Sequence, residues 1–252
     1  MFRSFIYLDT DKLYTYKRQI EGVNTPKVKS VKHTKNKGID AKIASVSVQA
    51  QNQISTEAEI ETDTYFDYDR FENELSKYEG EDYFDFVLNS DYTLRTLPAM
   101  KIIRIENSFE IPNGFDIVNA IERFKPLVLG RIEAENVQEQ EAVKSLLINS
   151  SADIPIIIET DEITISSKLN MKFLNEDYTA LEDYENQDVF MLCRVVGISP
   201  KESVEIFNPL KDFIKLPRAI RRTMNSNGDE IGLMPICISG PVLKVEIIAI
   251  YK

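Results

Sequence analysis

The stretch VFMLCRVVGI, residues 189–198, decides the fold class. It is rich in β-branched and apolar residues and carries a single charge, which predicts a strand buried within a sheet. The final stretch VLKVEIIAIY, residues 242–251, follows the turn Gly240–Pro241 and predicts a second such strand. Helical patterns alternate with these strands. We therefore expect an α+β fold with mixed or antiparallel sheets and interspersed helices.

Shorter strands surround the first one. IPIIIE (154–159) and ITIS (163–166) flank a polar turn and predict a hairpin, and VEIF (204–207) predicts a further strand. Asn208 and Pro209 then fit the N-cap and the first position of a helix.

The chain begins with a predicted strand at residues 2–8 and a predicted helix at 11–20. Asp9 or Thr10 suits the N-cap of this helix, and Gly22 suits its end.

A second helical pattern covers 67–80, with Asp67 or Asp69 as its cap and a glycine at its end. The acidic and aromatic segment 81–88 is expected to extend the helical region, and 100–111 reads as a strand or hairpin.

The organisation of the chain favours two units, an N-terminal α+β unit at 1–126 and a strand-rich α+β unit at 127–252. The segments that begin at Arg104 and Arg194 share the order strand, proline break, helix, so two related units are an open alternative. Residues 24–42 are rich in lysine and poor in apolar residues, which predicts an exposed, mobile basic loop within the first unit.

Charge and cysteine content limit the partners and the compartment. The formal net charge of −11 disfavours binding to nucleic acid and suits a basic protein partner. Cys193 and Cys237 lie in apolar runs, so both are expected to be buried free thiols in a reducing compartment. No apolar run approaches the roughly 20 residues that span a bilayer. These features predict a cytoplasmic protein that does not contact a membrane.

Two basic groups are candidates for binding a nucleotide or another phosphate ligand. Lys32, Lys35 and Lys37 lie in the basic loop. Arg218, Arg221 and Arg222 have the i, i+3, i+4 spacing that gathers guanidinium groups on one helical face. A solvated loop and pairing of the arginines with acidic residues are the alternatives, and both stay open.

Aromatic residues near the N-terminus are candidates for a protein-contact surface, since tyrosine is enriched at interfaces. The interaction residues predicted there are Tyr7, Asp9, Tyr14 and Tyr16. Packing in the core is the alternative use of the tyrosines.

Motifs for catalysis are missing from the sequence. His33 is the single histidine, which argues against multi-histidine metal sites and histidine-assisted nucleophiles. Glycine-rich phosphate loops do not occur. Glu159, Glu162 and Lys168 have the wrong spacing for a metal-dependent nuclease. We therefore expect no catalytic residues, no metal and no cofactor.

Both ends of the chain resemble an uncharacterised bacterial family. Members often begin with YLD-x-x-[KR]-[LMV]-Y-S followed by Gln and Gly, and some end in Gly-Pro, an apolar strand and IAIY. The matching residues are Tyr7, Leu8, Asp9, Lys12, Leu13, Tyr14, Gln19, Gly22, Gly240, Pro241, Ile248, Ala249, Ile250 and Tyr251. Thr15 departs from the pattern, which has serine there. The resemblance implies a bacterial or mobile-element protein and supplies no catalytic residues.

The preferred hypothesis is a non-enzymatic interaction or regulatory protein of bacterial or phage origin, with a protein partner or self-association. A setting in phage defence or counter-defence comes from the resemblance. The alternatives are a small-ligand sensor for a nucleotide or phosphate compound and a divergent metal-dependent hydrolase or nuclease.

Overall fold

The computed structural model describes residues 3–21, 64–116, 118, 120, 152–213 and 234–252, and among these residues a seven-stranded sheet forms the centre. Its strands lie in the order β2-β3-β6-β9-β5-β4, and β1 also pairs with β9. Parallel and antiparallel pairs both occur, so the predicted α+β class with mixed strand directions is confirmed. The strands are β1 (Phe5–Leu8), β2 (Tyr83–Asp85), β3 (Ile102–Asn107), β4 (Ile154–Ile158), β5 (Thr164–Leu169), β6 (Val189–Ser199), β7 (Ser203–Phe207), β8 (Ile236–Ser239) and β9 (Val242–Tyr251), of which β7 and β8 pair in a small second sheet.

Strand β9 organises the large sheet. One of its edges pairs antiparallel with β6, from Tyr251 opposite Phe190 to Val242 opposite Ser199. Its other edge is shared, because β5 runs parallel to residues 242–244 and β1 runs antiparallel to residues 249–251. A strand with neighbours on both edges and cover on both faces is mostly apolar, which explains why the sequence predicts β6 and β9.

Two helices cover one face of the large sheet. These are α1 (Thr10–Glu21) and α2 (Thr64–Leu75), and a 3-10 turn at Ser76–Tyr78 continues α2. Leu13 and Phe71 are fully buried and belong to the same core cluster as Leu192 of β6. Burial of each such side chain stabilises the fold by about 1.5–3 kcal/mol.

The opposite face of the sheet forms a larger core. Because side chains alternate along a strand, Met191 and Cys193 face this second core while Leu192 between them faces the helices. The strands β4 and β5 contribute Ile156 and Ile165, both fully buried, to the same cluster.

Several local predictions are confirmed. The segments β4 and β5 pair antiparallel as the expected hairpin. Asp9 caps α1, since its Oδ1 accepts a hydrogen bond from the backbone N–H of Lys12 at 2.9 Å. Asn208 caps the π-helical turn Pro209–Phe213, since its Oδ1 accepts from the N–H groups of Leu210 and Lys211 at 3.1 and 3.3 Å.

The expectation that segment 81–88 extends the helical region is wrong. Gly80 has a φ of 81°, a conformation that ends the helical region and that residues with a Cβ seldom adopt. Tyr83–Asp85 then forms β2, which runs parallel to β3. Helix α2 begins at Thr64 rather than at residue 67, and β3 begins at Ile102 rather than at residue 100.

The two cysteines differ in environment. Cys193 is fully buried in β6, and this burial raises the pKa of its thiol far above its ordinary value. Cys237 is exposed in β8, so the expectation that both thiols are buried is wrong. The reason is that residues of β8 alternate between half-buried and exposed. Both thiols are free.

The expected division at residue 126 lies outside the described residues, as does the basic loop 24–42. Strands that precede residue 126 and strands that follow it share the large sheet. In the part of the chain that the structure describes, no helix combines the length and the apolar character needed to cross a bilayer.

Candidate functional site

The predicted interaction residues near the N-terminus mostly point inward. Tyr7 is fully buried and Asp9 is 3% exposed. The second carboxylate oxygen of Asp9 pairs with Lys12 Nζ at 2.9 Å and lies 3.3 Å from the Tyr7 hydroxyl. Tyr16 is also buried, while Tyr14 is half-buried. In this chain these side chains contact other elements of the same protein.

The two sequence motifs of the resemblance meet in space. Leu8 pairs with Ala249 across β1 and β9. The backbone N–H of Asp9 donates to the carbonyl oxygen of Ile248 at 2.8 Å, and Lys12 Nζ donates to that of Ile247 at 3.2 Å. Ile248 is the bulge of β9, because the register with β6 shifts between its two neighbours. The opening motif is therefore anchored on the closing strand.

Asp67 joins the two helices rather than capping α2. Its carboxylate is buried, pairs with Lys17 Nζ at 2.5 Å and accepts a hydrogen bond from the Tyr14 hydroxyl at 3.1 Å. The predicted cap at this residue is wrong because Asp67 lies within the first turn of α2, where its side chain faces α1.

A charged network lies under α2 and connects Arg3 with Tyr251 at the end of β9. Glu72 pairs with Arg3, lies 3.5 Å from Arg104 Nη1 and accepts from the Tyr251 hydroxyl at 3.1 Å. Arg3 also pairs with Asp69, which excludes the second predicted cap of α2. The network connects the N-terminal residues, α2, β3 and the end of β9.

The raised pKa values of the buried tyrosines predict that the folded protein loses stability in alkaline solution. Burial, and next the nearby Glu72 carboxylate, raises the pKa of Tyr251 from 10.0 to about 12. Burial likewise raises the pKa values of Tyr16 and Tyr83. Above pH 10 the unfolded chain loses these protons before the folded protein does. The free energy of unfolding therefore falls as pH rises, by up to about 1.4 kcal/mol per pH unit for each such tyrosine.

Urea denaturation at pH values from 8 to 11.5 measures this dependence. We expect a flat profile up to about pH 9.5 and a decline above it. Tyr251→Phe, which has no phenol to titrate, should reduce the slope. An equal slope for Tyr251→Phe and the wild-type chain would contradict the assignment to Tyr251.

A cleft of about 240 Å³ lies where α1 and α2 end, over the start of β3 and the middle of β6. Its floor is apolar and its walls are aromatic and polar. The cleft is lined by Tyr16, Gln19, Ile20, Leu75, Tyr78, Asp82, Met100, Ile102 and Arg194. We take this cleft as the candidate site, since it combines apolar surface with fixed polar groups in a concavity.

One wall of the cleft is built by Tyr16 and Arg194. The Arg194 guanidinium lies over the Tyr16 ring, 5.2 Å from its centre, and Arg194 Nε is 3.2 Å from the Glu246 carboxylate. The Tyr16 hydroxyl donates to the same carboxylate at 2.6 Å. Burial, and next this hydrogen bond, raises the pKa of Tyr16 above its ordinary value. The positive charge of this wall is balanced by Glu246.

Met100 lies at the rim of the cleft beside Arg194, in an uncommon backbone conformation. Its φ is 77°, which costs a residue with a Cβ about 1–2 kcal/mol. Its N–H donates to the carbonyl oxygen of Val195 at 2.8 Å, and this bond holds the turn against β6. The residue is 61% exposed, and its sulfur accepts a hydrogen bond from Arg194 Nη1 at 3.3 Å. The backbone thus holds an apolar side chain in solvent at the mouth of the cleft.

The remaining predicted residues are not brought to this cleft by the described structure. The predicted phosphate-binding residues Lys32, Lys35, Lys37, Arg218, Arg221 and Arg222 lie outside the described residues. Glu159 and Glu162 line an open acidic hollow with Asp161, whereas Lys168 pairs with Asp212 at 2.8 Å. Within the described ranges, no group of three or more histidine, cysteine, aspartate or glutamate side chains is placed to hold a metal ion.

The similarity of this protein to a known family extends over nearly the whole chain and is not limited to the cleft. The family model described as Domain of unknown function (DUF6414) matches residues 2–251. The chain belongs to the DUF6414 family. The expectation of an uncharacterised family is confirmed, while the individual motif positions stay a prediction. No curated protein and no solved structure is similar enough to this DUF6414 chain to give a match.

Most residues of the DUF6414 cleft were not expected from the sequence. The sequence predicts Tyr16 as an interaction residue, but it places Met100 in a strand or hairpin and Arg194 in a buried strand. A charged residue inside the apolar run 189–198 was the available signal for Arg194, since such a residue needs a partner. The φ of Met100 has no local sequence signal, because glycine or asparagine would be expected there.

Proposed function

We propose that this DUF6414 protein is a non-enzymatic interaction protein of a regulatory kind, whose cleft receives an apolar side chain of a protein partner. The proposal depends on the exposure and the backbone conformation of Met100. Its side chain is mostly exposed and its backbone is strained, so neither core packing nor backbone preference accounts for methionine at this position. Binding to a partner accounts for both features.

The composition of the cleft suits a protein contact. Tyrosine, methionine and arginine are enriched in the buried centres of interfaces, and Tyr16, Tyr78, Met100 and Arg194 supply these types here. Energetic anchors of interfaces are single side chains that fill desolvated pockets. A volume of about 240 Å³ fits one such side chain and lies below the roughly 300 Å³ lower end of small-molecule sites.

The electrostatics of the cleft argue against a phosphate ligand at this place. Arg194 is the cation among the described lining residues, and Glu246 takes up its charge. A phosphate would have to displace that carboxylate while lying near Asp82. The negative charge of the Asp82 carboxylate would repel a phosphate bound next to it.

Substitutions of Met100 are expected to abolish binding of the partner while leaving the free energy of unfolding nearly unchanged. We expect Met100→Gly to change the free energy of unfolding by less than about 1 kcal/mol, because relief of the strained φ offsets the added freedom of the unfolded chain. Met100→Glu should be equally well folded. Both variants should lose partner binding. Leu88→Glu is the matched control, since Leu88 is 80% exposed and does not line the cleft.

Site-specific photo-crosslinking in the source cells provides the measurement. A benzophenone side chain at position 100 should form an adduct with a discrete second protein, and the same group at position 88 should not. The adduct at position 100 should disappear when Tyr78→Glu is added to block the cleft. Absence of an adduct at position 100, or the same adducts at both positions, would contradict the proposed function.

A further inference from the structure

The charge on the rim of the cleft indicates what kind of partner segment would bind there. This inference rests on the proposed function. Asp82 lines the cleft, Glu81 directly precedes it in the chain, and both residues are exposed. Asp82 pairs with Lys101 Nζ at 2.6 Å through Oδ1, and its side chain is 69% exposed. Within the described ranges, the Glu81 carboxylate and Asp82 Oδ2 have no hydrogen-bond or ion-pair partner.

Lys101 offsets one of the two carboxylate charges of this rim, and the other stays uncompensated within the described residues. Lys77 pairs with Glu74 at 2.7 Å in its own turn, and Lys101 is shared with Asp82. The inner wall is already balanced, because Arg194 pairs with Glu246. The cleft therefore combines an apolar interior with an anionic rim, within a chain whose formal net charge is −11.

We infer that the cleft binds a protein segment in which an apolar side chain is accompanied, within a few residues, by lysine or arginine. The apolar side chain contacts Ile20, Leu75 and Ile102 in the interior, and the cation pairs with Glu81 and Asp82 at the rim. Complementary charges on an interface rim increase the association rate and select the partner. A second copy of this chain carries the same negative charge, which disfavours self-association as the occupant.

Selection from a random peptide library on the immobilised full chain tests the inference, with Met100→Glu as the counter-selection target. We expect enriched peptides to combine a leucine, methionine or aromatic residue with nearby lysine or arginine. Binding of one such peptide, followed by fluorescence anisotropy, should weaken at least about tenfold in the double variant Glu81→Lys/Asp82→Lys and weaken with added salt. The matched control Glu159→Lys/Asp161→Lys reverses two exposed carboxylates in the acidic hollow and should leave the affinity unchanged.

The outcomes separate this inference from the proposed function. Enriched apolar peptides without basic residues, bound equally by the rim variant, would overturn the inference and leave a protein-binding cleft. No peptide that distinguishes the wild-type chain from Met100→Glu would overturn the inference, while the crosslinking experiment would still decide the function. A dimer that Met100→Glu converts to a monomer would show that a second copy is the occupant and would also overturn it.

Discussion

Replacement of Asp9 by alanine is expected to lower the free energy of unfolding by about 3–5 kcal/mol. The substitution removes three interactions at once, namely the cap of α1, the ion pair with Lys12 and the contact with the Tyr7 hydroxyl. Loss of a helix cap alone costs about 1 kcal/mol. The larger part arises because the Lys12 ammonium, whose side chain is 27% exposed, loses its anion. Urea denaturation followed by circular dichroism gives the value.

Two variants identify the origin of this effect. Asp9→Asn keeps a cap acceptor and loses the ion pair, so its cost should be smaller than that of Asp9→Ala. Asp11→Ala removes a carboxylate two residues away whose pair with Lys172 is exposed, and it should cost less than about 1 kcal/mol. Similar losses for Asp9→Ala and Asp11→Ala would show that the junction of α1 and β9 does not depend on Asp9.

Replacement of Glu72 by alanine is expected to have the second large effect, a loss of about 3 kcal/mol. Glu72 lies between Arg3 and Arg104, and its side chain is 13% exposed. Without it Arg3 keeps Asp69 and Arg104 keeps Asp85, but both guanidinium groups lose the partly buried carboxylate that they share, and the Tyr251 hydroxyl loses its acceptor. The free energy of unfolding is again the quantity measured.

The same helix provides the control for this prediction. Glu74 pairs with Lys77 on the outside of α2, so Glu74→Ala should cost less than about 1 kcal/mol. In a double-mutant cycle, Glu72→Ala and Tyr251→Phe should be non-additive, because the two side chains contact each other. Additive losses would indicate that the hydrogen bond of Tyr251 contributes nothing to stability.

These two predictions concern the contribution of the segments 3–12 and 247–251 to stability. The opening residues Tyr7, Asp9 and Lys12 interact with β9, and Arg3 interacts with α2. Of the tyrosines that the sequence predicts as a contact surface, Tyr7 and Tyr16 are buried, Tyr14 is half-buried, and Tyr16 also lines the cleft. Recognition is proposed for the other end of α1, where Met100 is exposed at the mouth of the cleft.

The corrections share a physical cause. Asp67 and Asp69 were expected to cap a helix because capping depends on neighbours in sequence, yet their partners are Lys17 and Arg3. Segment 81–88 was expected to be helical from its composition, yet pairing with β3 makes residues 83–85 a strand. In each case a partner remote in sequence overrides a local preference.

The sequence by itself determined the elements whose signals are local. The apolar runs at 189–198 and 242–251 specified β6 and β9, and Asp9 and Asn208 marked helix starts, because strand burial and capping depend on a few consecutive residues. The tertiary structure alone decided the cleft, which gathers Tyr16, Leu75 and Arg194 from three elements. It also decided the φ of Met100, since that turn is held by a hydrogen bond to Val195. These features depend on strand order and on packing between distant residues, which no pattern of neighbouring residues specifies.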